Sequence, residues 1–160
     1  MLLSCDDEQN QRSFEMLYIQ DFTIISGLNT IETHVFEFDI TTNFQNYLTE
    51  YNITLDDIEQ IVPNLIIMTN VNGNQTYDIL SRARLFTAKE DGTNEFETAF
   101  SEPVPNNTQY DLQLLPTLVQ VKEVLSEDKF KMRMKLNFRA IPPQSIDTRL
   151  NMTFQAILKE

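Results

Sequence analysis

Very few side chains here have the types and spacing needed for chemistry. His34 and Cys5 are the only histidine and the only cysteine. Nucleophilic catalysis needs a nucleophile, a base and a group that orients the base. With one histidine on a patterned apolar stretch and no Gly-x-Ser-x-Gly turn, that constellation does not assemble on paper. No His/Glu helix motif, paired Cys spacing or Gly-rich phosphate loop occurs. Asp56-Asp57 resembles a metal pair but reads as the acidic first turn of a helix behind Thr54. Asn70-Val71-Asn72-Gly73-Asn74 has the spacing of the first calcium-loop ligands but lacks the carboxylates and the distal Glu. It reads instead as a type I′ turn at Asn72-Gly73. Carboxylate-pair chemistry stays open, because any two of the 24 acids can converge in space.

One densely charged stretch remains, Lys129 to Arg139. Apolar and polar residues alternate there for eleven positions, which is the period of a β-strand. Phe130, Met132, Met134, Leu136 and Phe138 form its dry face. Lys129, Lys131, Arg133, Lys135 and Arg139 lie on the other side, as a candidate anionic-partner face. Charge distribution supplies a competing reading. Residues 1–70 hold one base against twelve acids, and residues 71–160 hold eleven against twelve. Glu37 and Asp39, or Glu95 and Glu97, would then pair with the basic strand across a sheet. The formal net charge of −12 argues against nucleic-acid binding, which relies on Lys and Arg to neutralise phosphates.

The elements around this strand read mostly as β. The even positions Phe14, Met16, Tyr18, Phe22 and Ile24 mark a strand, while Leu17 and Ile19 break the alternation and suggest burial on both faces. Phe36, Phe38 and Ile40 alternate again. Phe44, Tyr47, Leu48 and Tyr51 form a helical stripe behind a Thr42–Gln45 capping box. A second short helix is expected after Thr54, with Ile58, Ile61 and Val62 inward and Pro63 ending it. Leu65–Thr69 reads as a central strand. Residues 82–88 and 94–101 flank Asp91-Gly92 as a hairpin, and a further strand falls near Tyr110 to Leu114. A third helix is expected over 118–125, capped by Thr117 and Gln120, and a last strand carries Leu150, Met152, Phe154, Ala156 and Leu158. The best fit is an all-β fold, a two-layer antiparallel β-sandwich of about eight strands with two or three short helices in its connections. An α+β sheet with helices on one face is the alternative.

The N-terminus carries the one recognisable address. Leu2-Leu3-Ser4-Cys5, followed by Asp6-Asp7-Glu8, resembles a bacterial lipobox, in which the chain is cut before the Cys and the thiol is acylated. The acidic run resembles the surface-export signals of Bacteroidota lipoproteins, and composition and alternating strands are similar to the uncharacterised cell-envelope lipoproteins of that group. The resemblance implies that residues 1–13 hold a signal-peptide remnant, the lipidation site Cys5 and a flexible acidic tether. Residues 14–160 then form a single β-sandwich domain. It also implies a palmitate-type anchor in the outer membrane, on its periplasmic or surface side. The function so implied is a non-enzymatic binding or structural module with a protein or glycan partner and no cofactor. Two alternatives stand beside it: a carrier of lipid or another hydrophobic ligand between sheets rich in Met132, Met134 and Met152, and a carboxylate-dependent envelope hydrolase.

Overall fold

The structure, a computed structural model, describes residues 12–160. Eight strands occur in chain order: β1 (Ser13–Ile24), β2 (His34–Thr41), β3 (Ile58–Asn70), β4 (Leu80–Lys89), β5 (Phe96–Ser101), β6 (Asp111–Pro116), β7 (Lys129–Phe138) and β8 (Ile146–Leu158). Two short helices, α1 (Phe44–Tyr51) and α2 (Lys122–Leu125), sit in the connections. Every pairing is antiparallel. One sheet runs β1-β8-β3-β6 and the other β2-β7-β4-β5. The sheets join where Ala99 and Phe100 of β5 meet Pro116 and Leu115 of β6. That strand order is a jelly roll, a double-sheet arrangement of eight strands. The all-β expectation holds, and the α+β alternative is set aside because both helices are short connection pieces.

The inner faces interdigitate into one apolar cluster, as period-2 side chains from two sheets must. Phe130 and Phe154 face each other through Tyr18, whose ring meets theirs edge-on at 5.3 and 6.0 Å. Met132, Met134 and Met152 are fully buried among them. At the open margin β1 and β2 form no ladder, and Phe22 fills the seam against Phe36 and Phe38 at 5.0 and 5.4 Å. Helix α1 closes one end, with Phe44 and Leu48 buried and Tyr51 stacked on Phe14 at 4.4 Å.

Several local expectations are corrected, each for a physical reason. The helix expected after Thr54 is a single 3-10 turn, Leu55–Asp57, and Ile58 to Val62 belong to β3. A register shift at Ile58/Gln60 places Ile58 and Ile61 on one face although they are an odd number of residues apart, and a second shift falls at Pro63/Leu65. Such bulges imitate helical spacing, and the bulge also gives Pro63 a place inside a strand. The helix over 118–125 shrinks to Lys122–Leu125. Thr117 Oγ1 donates to Glu97 O at 2.8 Å, whereas Gln120 Oε1 accepts both from Ile61 N–H at 3.3 Å and from Lys122 N–H at the start of α2, so Thr117 is engaged elsewhere and Gln120 still meets the helix. At α1 the Thr42 hydroxyl donates to Glu127 O, and Asn43 caps the helix in a left-handed conformation. Asn72-Gly73 is not a type I′ turn. Only Gly73 has positive φ, and the Asn70 side-chain oxygen accepts from the N–H groups of Asn72 and Gly73. The chain there crosses between sheets rather than forming a hairpin.

Candidate functional site

The outward side of β7 lies in the middle of its sheet, so both neighbouring strands present side chains to it. Read across the sheet, one row is Glu37, Arg133, Phe86 and Glu97, and the next toward the end of β7 is Val35, Lys135, Arg84 and Phe100. The cross-strand carboxylates expected from the sequence are in place. Lys131 Nζ lies 3.1 Å from Glu37 and 3.9 Å from Asp39. Arg133 reaches Glu37 at 2.9 Å and Glu95 at 2.8 Å, and Lys135 reaches Glu95 at 3.9 Å. Arg84 forks onto both oxygens of Glu97 at 2.7 and 3.1 Å. Lys135 and Arg84 also sit over the Phe86 ring, 4.1 and 5.2 Å from its centroid, within cation–π range.

These pairs displace protonation equilibria in the direction of mutual stabilisation. The hydrogen bond from Lys131, then that from Arg133, holds the Glu37 carboxyl below its ordinary value; Glu37 in turn holds the Lys131 ammonium above its own. Arg84 lowers Glu97 in the same way. The hairpin apex beside them is built tightly. Gly92, at φ +84°, closes the turn with its N–H on Lys89 O at 2.8 Å and lies next to the Arg133 guanidinium.

Of the five basic residues, Lys131, Arg133 and Lys135 are therefore compensated. Lys129 is exposed, with no carboxylate in ion-pair reach among the described residues. Arg139 lies past the end of β7, and its guanidinium donates to the Val104 carbonyl. The five are not brought together into one positive groove. Cys5 lies outside the described residues. On His34 a ring nitrogen meets Asn29 O at 2.9 Å and the ring packs edge-on against Phe138. Asp57 accepts from Thr54 N–H and Oγ1 at 2.7 and 2.8 Å, the capping role expected of it. Among the described residues no three His, Cys, Asp or Glu side chains converge as metal ligands, and each resolved carboxylate shift (Asp21, Glu37, Asp57, Asp91, Glu97) is downward.

The outer face of the other sheet is the feature that sequence reasoning missed. Its two central rows are Leu17, Thr153, Leu65 and Ile19, Asn151, Ile67, Gln113, with Leu115 just past the end of the β3–β6 ladder. None of these side chains ionises. Leu17 and Ile19 are each 53% exposed, Leu65 is 41% and Leu115 is 60%. Charges stand only at the margins. Arg149 forks onto Asp21 at 2.8 and 2.9 Å, and Asn64 donates to Glu15 at 3.0 Å. The available signal was the broken alternation at Leu17 and Ile19. It reflects solvent-facing apolar residues on a β1 that is buried on one face only, not burial on both.

No protein-family model matches this sequence, and no curated protein matches it. Among solved structures the chain is similar to the decameric BFDV capsid protein, at 11% identity over 92% of this chain and 99% of that one, with a TM-score of 0.45. It is also similar to a structure of infectious bursal disease virus Gt strain, at 12% identity over 99% of this chain and 35% of that one, TM-score 0.42. A third is Desmodium yellow mottle tymovirus, at 7% identity over 99% and 94%, TM-score 0.32. None reaches a TM-score of 0.5, so the fold assignment rests on the strand order alone.

Proposed function

We propose that this chain is a non-enzymatic, lipid-anchored jelly-roll module of the bacterial cell envelope, held at the outer membrane through Cys5 and acting by binding or as a structural unit. The observation that carries the reading is the spacing between Cys5 and the start of β1. Ser13 opens β1, Arg12 O accepts from Leu158 N–H at 2.9 Å, and the lone cysteine stands eight residues before Ser13. That length of chain spans at most about 28 Å, enough to hold a folded body close to a bilayer. Two acyl chains, at about 0.8 kcal/mol per buried CH₂, make such an anchor stable.

The other two readings have less in their favour. A carrier needs space between the sheets, whereas Met132, Met134 and Met152 are fully buried within one apolar cluster there. A carboxylate hydrolase needs an acid held protonated near neutral pH, whereas the resolved carboxylate shifts run the opposite way. The test is to express the gene with its own upstream region and label with radioactive palmitate. Label retained by the natural protein in the membrane fraction and lost in Cys5→Ser supports the anchor. An unlabelled protein in the cytosol overturns it.

A further inference from the structure

Antiparallel sheets that face water on one side usually make that side polar. The β1-β8-β3-β6 sheet does not. Leu17, Ile19, Leu65, Ile67 and Leu115 emerge from three of its four strands around a neutral centre on β8. We infer that this face is a docking surface for a second copy of the same chain, packed sheet against sheet about a two-fold axis. The inference does not depend on the anchor at Cys5.

Size, charge and shape each favour that occupant. Four strands at about 4.8 Å spacing, over the length from Glu15 to Asp21, give a patch on the order of 400 Å² in projection. Side-chain relief brings the accessible area toward the low end of the ~800 Å² that each partner of a standard interface contributes. A weak, concentration-dependent dimer is the result to expect at that size. Charge then selects the partner. The chain carries a formal −12, so two copies repel through most surfaces. The central rows hold no ionisable group, and the one basic residue beside them, Arg149, is tied to Asp21. A two-fold contact sets this patch on itself, so uncharged central rows meet uncharged central rows, while the carboxylates of Glu15 and Asp111 stay at the margins. A membrane surface fits less well. Anionic lipid attracts clusters of Lys and Arg, and interfacial anchoring draws on Trp and Tyr, none of which stands in the central rows. Sheet-on-sheet packing is also what the two four-stranded layers do inside this protein, an arrangement that sets layers about 10 Å apart.

Sedimentation of the full-length chain carrying Cys5→Ser, which removes thiol dimers, tests the inference. Mass is expected to rise from the 18.7 kDa monomer toward twice that value across the micromolar range. Leu17→Lys and Leu65→Lys should each weaken association by at least about tenfold, the effect of about 1.4 kcal/mol. Val35→Lys is the matched control, since Val35 is also 53% exposed but lies on the other sheet, and it should leave association unchanged. Introducing Thr153→Cys, at the centre of the face, should give an oxidative cross-link that Asp39→Cys on the opposite face does not. If a lysine variant fails to fold, this cross-link contrast decides alone. A chain that stays monomeric, or a dimer indifferent to both lysines, overturns the inference. So does a monomer that binds phosphatidylglycerol vesicles through Leu17 and Leu65, which would make a bilayer the occupant.

Discussion

Read across the β2-β7-β4-β5 sheet at Arg133, the outward row is Glu37, Arg133, Phe86 and Glu97; across the opposite sheet at Thr153 it is Leu17, Thr153 and Leu65. Both sheets have four strands, both back onto the same core, and both have outward positions set by the same two-residue period. They differ in what neighbouring strands contribute. On the first sheet acids of β2 and of the β4–β5 hairpin flank the bases of β7, so a strand that looks like an anion site in isolation is balanced in place. On the second, aliphatic residues of β1, β3 and β6 flank hydroxyl and amide groups of β8, so no strand looks unusual alone and the apolar patch exists only in the assembled sheet. A strand's own pattern says which side is wet. Its neighbours decide what that wet side is.

The largest expected effect tests the part the two faces share. Phe130→Ala, behind the charged face, and Phe154→Ala, behind the neutral one, should each cost about 3–5 kcal/mol in urea unfolding, because both rings are fully buried. A much smaller loss for one of them would mean that the sheets do not share one core.

Next in size is the response to acid, which should belong mainly to the charged face. Glu37 and Glu97 on that face, and Asp21 at the margin of the other sheet, have folded values held below the ordinary carboxylate range by their basic partners. As pH falls the unfolded chain takes up protons first. The stabilisation is therefore complete above about pH 4–4.5, where free carboxylates titrate, and is lost as pH falls through the lowered values. Thermal midpoints should drop on acidification, and Glu37→Gln should flatten the curve more than Asp21→Asn does, since Glu37 holds two cations and Asp21 one.

Salt should separate the faces more gently. Raising ionic strength toward 1 M shortens the screening length to about 3 Å. This should lower the unfolding midpoint slightly through the exposed pairs, while association through Leu17 and Leu65 should hold or strengthen. An association that weakens with salt would point to the charged face instead.

The smallest effect concerns the basic strand itself. Replacing Lys131, Arg133 and Lys135 together with Thr, a good strand former, should shift the urea midpoint only a little and leave its slope unchanged, because water screens exposed pairs. Arg84→Ala should cost only ~0.5 kcal/mol after allowing for its exposure, despite its two-pronged contact with Glu97. A large loss in either variant would show that the charged face is structural, not merely balanced.

The elements with the longest unbroken periods were legible in the sequence alone. Phe130 to Phe138 and Leu150 to Leu158 alternate strictly and became the inward faces of β7 and β8. The Phe44–Tyr51 stripe became α1. The pairing of Glu37, Asp39 and Glu95 with the basic strand was also legible, because the two halves of the chain are so unequally charged. What the sequence could not carry was parity across a bulge and the identity of lateral neighbours. Ile58, Ile61 and Val62 read as a helix because a register shift, visible only against β8, restores them to a strand. Thr117 reads as a cap, but β5 claims its hydroxyl. Leu17, Leu65 and Leu115 lie far apart in the chain, and only the jelly-roll order β1-β8-β3-β6 lays them on one surface. Local periodicity is set by the chain's own backbone geometry, so it can be read in one dimension. A surface patch depends on which strands lie side by side, and that is decided when the whole core closes.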